Sequence, residues 1–231
     1  MNKMNTHIEK LYVLVSVVRN YVLRRIWYNY YLKNYLEKKS NMKKLNMIRK
    51  DQKNNIKQEC PLVSVLIATY NRSKILTERS IPSVLNQTYK NFELIIVGDN
   101  CTDDTESRVE HLHDKRIKFY NLSKHDKYPS NPNDRWFVAG VVPFNKAIEL
   151  SSGDWIAPLD DDDEFSEDHI EVLLNYAIKY DYEMVYGKVK VKTKNRDQEE
   201  IGEFPPKMGK ITHISAIYSS KLKFLTYDIE S

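Results

Sequence analysis

A chain of 231 residues, with 41% apolar and 29% charged side chains, is long enough to bury one sizeable core and too apolar for an intrinsically disordered protein. Its two cysteines, Cys60 and Cys101, argue against a disulfide framework or a cysteine-built zinc site and fit a reducing, cytoplasmic compartment. The net charge of +4 conceals a division: residues 1–58 carry 14 Lys/Arg against 3 Asp/Glu, a net +11, and the remainder carries 22 against 29, a net −7. A basic helical extension and linker over 1–58 is therefore joined to an acidic domain over 59–231.

In the extension, residues 11–36 (LYVLVSVVRNYVLRRIWYNYYLKNYL) mix aliphatic side chains with Tyr, Trp and Arg. Arg19, Arg24 and Arg25 interrupt the apolar run well short of the roughly 20 residues a spanning helix needs. No small-residue cleavage site follows, so a signal peptide fits poorly. Two readings stay open: a helix lying at a membrane interface, and a helix packed on its own domain or on a partner chain. Nucleic-acid binding ranks below both, because no matching fold motif accompanies the charge. Residues 38–59, rich in Lys, Asn and Gln, read as a linker or a frayed polar helix.

From residue 61 the texture changes. LVSVLIATY (62–70) is a short β-branched apolar run, the mark of a buried strand. Helical spacing follows over 75–86, with Pro82 forcing a kink or break. NFELIIVGDN (91–100) is a second buried strand, and Thr102 or Asp103 can cap a helix running to about His113. RIKFYNL (116–122) is a third strand, and 123–137 read as a long polar loop. Residues 138–153 read as a helix closed by Gly153, and DWIAPLD (154–160) as a fourth strand. Ser166 is placed to cap a long amphipathic helix, after which Met184–Thr193 read as a fifth strand with a returning strand near 199–204.

Strands alternating with helices imply crossover connections and an α/β fold with a mostly parallel sheet. Ligands in such sheets collect at the carboxyl ends of the strands. Three polar clusters fall there: Thr69, Tyr70, Asn71 and Arg72; then Asp99 and Asn100; then Asp160, Asp161, Asp162 and Asp163. Four adjacent carboxylates repel one another unless something positive sits among them. Alternate residues of an extended segment share a side, so Asp160 and Asp162 could serve one divalent cation, Mg2+ or Mn2+, which favours oxygen ligands. The competing explanation is a solvated acidic turn ahead of a helix, where the helix dipole favours Asp163 and Glu164 without any ion. An EF-hand is a poor fit, since DDDDEFSEDHIE lacks the glycine that loop requires.

Three ordered pieces, PLVSVLIATYNR, SVLNQTYKNFELIIVGDNCTDDT and NKAIELSSGDWIAPLDDDDEF, resemble the family 2 glycosyltransferases of GT-A fold over about residues 61–190. The resemblance implies a Rossmann-like GT-A domain, a nucleotide-sugar donor, a divalent cation and inversion at the anomeric carbon. It implies that Thr69, Tyr70, Asn71 and Arg72 line the nucleotide pocket and that Asp99 reads the base, through an N–H of uracil where the donor is UDP-linked. Asp160-Asp161-Asp162 matches the DXD motif, with Asp162 on the metal and Asp160 and Asp161 toward ribose or metal-bound water. Asn145 and Lys146 match a polar pair ahead of that motif, with Lys146 near phosphate. His213, in KITHISAIY, reads first as a structural histidine near a strand, with contact to diphosphate or acceptor as the alternative.

Two departures qualify the expectation. Relatives carry two acids where this chain has Gly98-Asp99. The family's general base lies well after the DXD motif, where this chain offers only Asp228 and Glu230, so a fragment or a C-terminally short product is expected. The implied function is sugar transfer from a nucleotide-diphosphate donor to a glycan, lipid or protein acceptor, in cell-surface polysaccharide assembly at the cytoplasmic membrane face. A non-catalytic donor-binding module is the alternative. A sugar nucleotidyltransferase fits less well, because TYNRSKIL lacks the glycine-rich phosphate loop such an enzyme needs.

Overall fold

The computed structural model describes residues 32–51, 59–125, 128–193, 196–207 and 210–227. The chain divides into two compact units, Met1–Asn55 and Ile56–Ser231. In the first, residues 32–51 form one helix, α1, where the sequence reading had a linker or frayed helix from 38 onward. Leu32, Tyr35, Leu36, Met42 and Met47 are exposed along it. Residues 11–31 of the proposed interfacial segment lie outside the described residues. No described helix is long and apolar enough to cross a membrane.

The second unit is built on a six-stranded sheet. Its strands are β1 (Val63–Thr69), β2 (Phe92–Gly98), β3 (Ile117–Asn121), β4 (Trp155–Asp160), β5 (Met184–Tyr186) and β8 (Ala216–Ser219), ordered β3-β2-β1-β4-β8-β5. The pairs β1–β2, β1–β4 and β2–β3 are parallel, and β8 runs antiparallel to β4 and β5. The expected mostly parallel sheet and GT-A-like architecture are therefore present, with β8 as an antiparallel insertion that the sequence reading did not place.

The central strands are largely apolar because both faces are covered. Val63, Val65 and Ile67 of β1, with Leu94 and Ile96 of β2, enter one core. Leu66, Ile95 and Val97 enter the other. The first core is roofed by α2 (73–85) and by α6 (His169–Tyr180), through Leu76, Ile81, Val84, Ile170, Leu173 and Leu174. The second is roofed by α5 (Val141–Leu150), through Phe144, Ala147 and Ile148. Alternation with period two thus feeds two cores from the same strands.

The expected break at Pro82 takes the form of a π-helical stretch, Leu76–Ser80, between α-helical Ser73–Ile75 and Ile81–Leu85. Pro82 offers no N–H to the carbonyl of Glu78, and the ladder widens just before it, with Ile81 N–H donating to Leu76 five residues back. The next helix, α3 (Thr105–Glu110), starts later than expected because the Asp103 carboxylate folds back onto the Thr105 N–H at 3.1 Å.

The loop assigned to 123–137 contains a helix, α4 (Pro132–Val138). It ends at a turn where Gly140 takes φ +82°, a left-handed conformation that favours glycine, and α5 begins only at Val141. Ser166 does not cap α6, whose helical residues begin at His169. The buried Gln87 at the end of α2 accepts the Ile170 N–H at 3.0 Å through Oε1 and donates through Nε2 to the Ser83 and Ser166 carbonyls. The single strand expected over Met184–Thr193 is two: β5 stays in the main sheet, whereas β6 (Val189–Thr193) pairs antiparallel with β7 (Arg196–Ile201) in a separate hairpin.

Candidate functional site

Parallel pairing in register brings the ends of β2, β1 and β4 to one edge, with Thr69 opposite Gly98 and Ala68 opposite Asp160. The chain leaves β1 and β2 through left-handed turns at Asn71 (φ 50°) and Asn100 (φ 58°), a conformation asparagine tolerates better than most residues. Asn71 Oδ1 accepts the Thr102 N–H at 2.8 Å and the Asp103 N–H at 3.3 Å, so its amide fastens the two turns together.

The acidic run meets a cation supplied by the protein. Asp161 is 7% exposed, and its Oδ2 accepts a hydrogen bond from Thr69 Oγ1 at 2.7 Å. Arg72 Nη1 donates to Asp161 Oδ1 and to Asp162 Oδ2, both at 2.8 Å. Arg79 Nη1 donates to the Asp162 carbonyl at 2.9 Å. The Asp161 hydrogen bond is the main reason the Arg72 guanidinium holds its proton more tightly than usual. Burial pushes the Asp161 carboxyl above its ordinary range despite the bonds from Arg72 and Thr69. Asp163 is pushed up by burial first and then by the charges of Asp160 and Asp162, so these carboxylates feel one another.

Asp160 faces a different neighbour. Its Oδ1 lies 3.0 Å from His213 Nε2, which is carried just ahead of β8. His213 packs against Phe144 and Tyr227, at ring-centroid distances of 5.6 and 6.0 Å. Burial, and secondarily the Asp160 charge, pushes the Tyr227 phenol up to about 12. Asn145 exchanges two hydrogen bonds of 2.9 Å with the Tyr227 backbone and so fixes this segment beside the aspartates. His213 is thus drawn into the acidic edge.

At the end of β2, Asp99 is 2% exposed. Its Oδ2 accepts from the Tyr128 hydroxyl at 2.7 Å and lies 2.9 Å from His125 Nδ1. Its Oδ1 is buried and has no hydrogen-bond partner among the described residues. An orphaned carboxylate oxygen is costly to bury, and it marks a place where an N–H group is wanted. Tyr70, half exposed, stacks on His125 with centroids 4.4 Å apart. Neither His125 nor Tyr128 stood out in the sequence; both sit in the long loop after β3, whose length was the only signal.

Gly98 explains the missing first acid in structural terms. A Cβ there would lie 2.7 Å from Asn121 Oδ1 and 3.0 Å from Cys101 Sγ. Asn121 occupies that space to bind the Cys101 N–H and carbonyl, each at 2.8 Å, and so shapes the turn carrying Asp99.

The edge therefore gathers Thr69, Tyr70, Asn71, Arg72, Asp99, Asp160, Asp161 and Asp162. Lys146 stands apart: its ammonium pairs with Glu149 at 2.8 Å, in a hollow also lined by Leu122, Asn145, Lys223 and Thr226 and by none of the four aspartates. Asp228 and Glu230 lie outside the described residues. Among the described residues no three His, Cys, Asp or Glu side chains form a ready metal cage. The side chains of Asp160 and Asp162 are 48% and 41% exposed, and two such carboxylates suit a hard divalent ion that keeps its other positions for water and phosphate.

Among curated proteins, this chain is 35% identical over 129 residues to the GalNAc(5)-diNAcBac-PP-undecaprenol beta-1,3-glucosyltransferase of Campylobacter jejuni, covering 55% of this chain and 38% of that protein. It is 31% identical over 134 residues to the UDP-Glc:alpha-D-GlcNAc-diphosphoundecaprenol beta-1,3-glucosyltransferase WfgD of Escherichia coli, covering 58% and 48%. The chain thus matches less than half the length of each of these relatives. Its fold is similar to that of S. aureus TarS 1-349 in complex with UDP, with a TM-score of 0.54, 20% identity, and coverage of 69% of this chain and 47% of that one. Residues 64–229 match the family described as glycosyl transferase family 2, and the chain belongs to that family.

Proposed function

We propose that this chain carries the donor-binding half of a glycosyltransferase that moves a sugar from a nucleoside-diphosphate donor, with UDP favoured, to a lipid-linked or other glycan acceptor. The observation that carries the proposal is the single sheet edge on which Thr69, Arg72 and the Asp160–Asp162 run meet Asp99, within a family 2 chain. UDP is favoured over CDP because the unpartnered Asp99 Oδ1 offers an acceptor, and uracil presents an imide N–H where cytosine presents a lone pair. The relatives named for undecaprenol-linked acceptors support a lipid-linked substrate. That acceptor class would place the enzyme at the cytoplasmic membrane face, with residues 11–36 as a peripheral contact.

Asp162, assisted by Asp160, would hold Mn2+ or Mg2+. Such an ion offsets charge on a departing diphosphate. The residues of the edge then divide the remaining work. Arg72, already among the acidic groups, supplies a second positive charge toward the diphosphate. Asp161 and Thr69 lock β4 to β1 so that the carboxylates keep their direction. In the transfer itself the acceptor oxygen bonds to the anomeric carbon as the bond from that carbon to the diphosphate oxygen breaks. The acceptor proton passes to a carboxylate base. The anomeric centre is inverted.

The test is a thermal-shift screen of UDP, GDP, CDP and their sugars with and without Mn2+, on the wild type and on Asp162→Ala. A ligand that binds the folded state raises its stability by mass action. UDP should raise the melting temperature more with Mn2+ than without, and Asp162→Ala should erase that difference. Metal-dependent UDP binding unchanged in Asp162→Ala would overturn the assignment. Sugar transfer or slow donor hydrolysis then separates an enzyme from a binding module.

A further inference from the structure

The aromatic group on Tyr70 is part of the protein itself. His125 presents a flat ring, stacked on Tyr70 at 4.4 Å with an interplanar angle of 27°. On the same ring, Nδ1 lies 2.9 Å from Asp99 Oδ2 and 3.2 Å from the Asp99 carbonyl oxygen. Carbonyl oxygens only accept, so Nδ1 carries a proton. A planar ring on an aromatic platform, with an N–H aimed at the Asp99 carboxylate, has the two features by which a uracil would be held there. Tyr128 closes the other side, packing edge-on against His125 at 5.1 Å and donating to the same Asp99 oxygen. Under this cover the second oxygen, Oδ1, is inaccessible and unpaired, although an accessible acceptor is what a base would need.

We infer that His125 is a built-in occupant of the nucleobase subsite: it fills the slot between Tyr70 and Asp99 and must be displaced by the donor's base. The inference rests on the nucleotide-sugar reading above and adds to it a residue that sets the affinity for the donor. The exchange is close to balanced, because the base replaces the ring stack lost from His125 and its one N–H, given to the unpaired Oδ1, replaces the N–H lost from Oδ2, which keeps the Tyr128 hydroxyl. A ligand without a flat ring and an N–H donor regains neither, so it cannot dislodge the imidazole as well. The occupant thereby lowers the affinity of every base that must enter the slot, since apparent affinity falls with the fraction of molecules in which the subsite is open.

Calorimetric titration of UDP in Mn2+ into the wild-type chain, His125→Ala and His125→Phe tests this. Where the imidazole fills the slot in about nine molecules in ten, His125→Ala tightens UDP about tenfold. His125→Phe keeps a ring on Tyr70 and loses the N–H, so it should fall between the two. In the wild-type chain, the histidine ring protons shielded by Tyr70 should move toward their free positions as UDP is added, which needs no variant. UDP binding that is unchanged or weaker in His125→Ala, or His125 ring signals that stay put while UDP binds, would overturn the inference and leave the donor site standing. If the wild-type chain and both variants bind no nucleoside diphosphate, the nucleotide reading itself falls and takes this inference with it.

Discussion

Thr69 and Asp161 lie 92 residues apart in the chain, yet the hydroxyl of one donates to the carboxylate of the other at 2.7 Å. That bond ties the tip of β1 to the turn after β4 and lets a nearly buried carboxylate sit within an acidic run. Arg72 completes the arrangement by bridging Asp161 and Asp162.

Removing either partner should expose the cost of burying Asp161. Thr69→Val removes one neutral donor and should lower unfolding stability by about 1 kcal/mol in urea titration, whereas Arg72→Ala removes the charged partner and should cost about 2–3 kcal/mol. Arg72→Lys should recover only part of the loss, because a single ammonium lacks the planar fork of the guanidinium. Equal effects of the two truncations would mean that Arg72 does not compensate the buried charge.

Gly98 and Asn121 should be energetically coupled. Gly98→Ala drives a Cβ into Asn121 Oδ1, and overpacking of this kind costs about 1–3 kcal/mol. Asn121→Ala alone loses the two bonds to Cys101 but vacates the space. The double variant should therefore be more stable than the sum of the single losses predicts, and denaturant titration of the four proteins measures the difference. Strict additivity would show that the close approach is relaxed by backbone movement.

These pairs mark where the sequence was legible. The strands β1, β2 and β4 could be read because burial on both faces demands continuous β-branched apolar runs, and the functional edge followed from where those runs end. What could not be read were interactions between distant segments. The Asp103 carboxylate folds back on Thr105 and displaces a helix start by local competition, which composition alone cannot rank against a cap. His125 and Tyr128 acquire meaning only once Asp99 stands beside them. β8 is four residues long, and its isolated apolar pattern gives no sign of which strand it will join.

The start of α6 depends on such a distant partner. Gln87 is fully buried, and it supplies one acceptor to Ile170 and two donors to the Ser83 and Ser166 carbonyls. Gln87→Ala leaves these groups unpaired and should destabilise the chain by about 2–3 kcal/mol, more than an exposed cap is worth. Ser166→Ala should cost a few tenths of a kcal/mol, since its hydroxyl reaches only the neighbouring Asp168. The reverse order in thermal unfolding would restore Ser166 as the cap.

Acid stability should report on Glu93. Its side chain is 7% exposed and accepts from Ser64 Oγ, the Ser152 N–H and hydroxyl, and Lys118 Nζ. Burial alone would raise its pKa, but the Lys118 bond and the bonds from Ser64 and Ser152 outweigh it and bring the carboxyl down from 4.5 to about 2. The folded value lies below the unfolded one, so the unfolded chain binds the extra proton between the two. Glu93 therefore contributes its full stability above about pH 4.5, and that contribution drains away as pH falls toward 2. Glu93→Gln keeps the size and one acceptor but has no carboxylate to protonate. Urea midpoints should show the wild type well above Glu93→Gln at pH 7, with a gap that is constant down to about pH 5 and narrows steadily below it. A gap independent of pH from 7 to 3 would mean that the loss in Glu93→Gln is one of packing, and that the charge on Glu93 contributes nothing to holding β2 against Ser64 and Lys118.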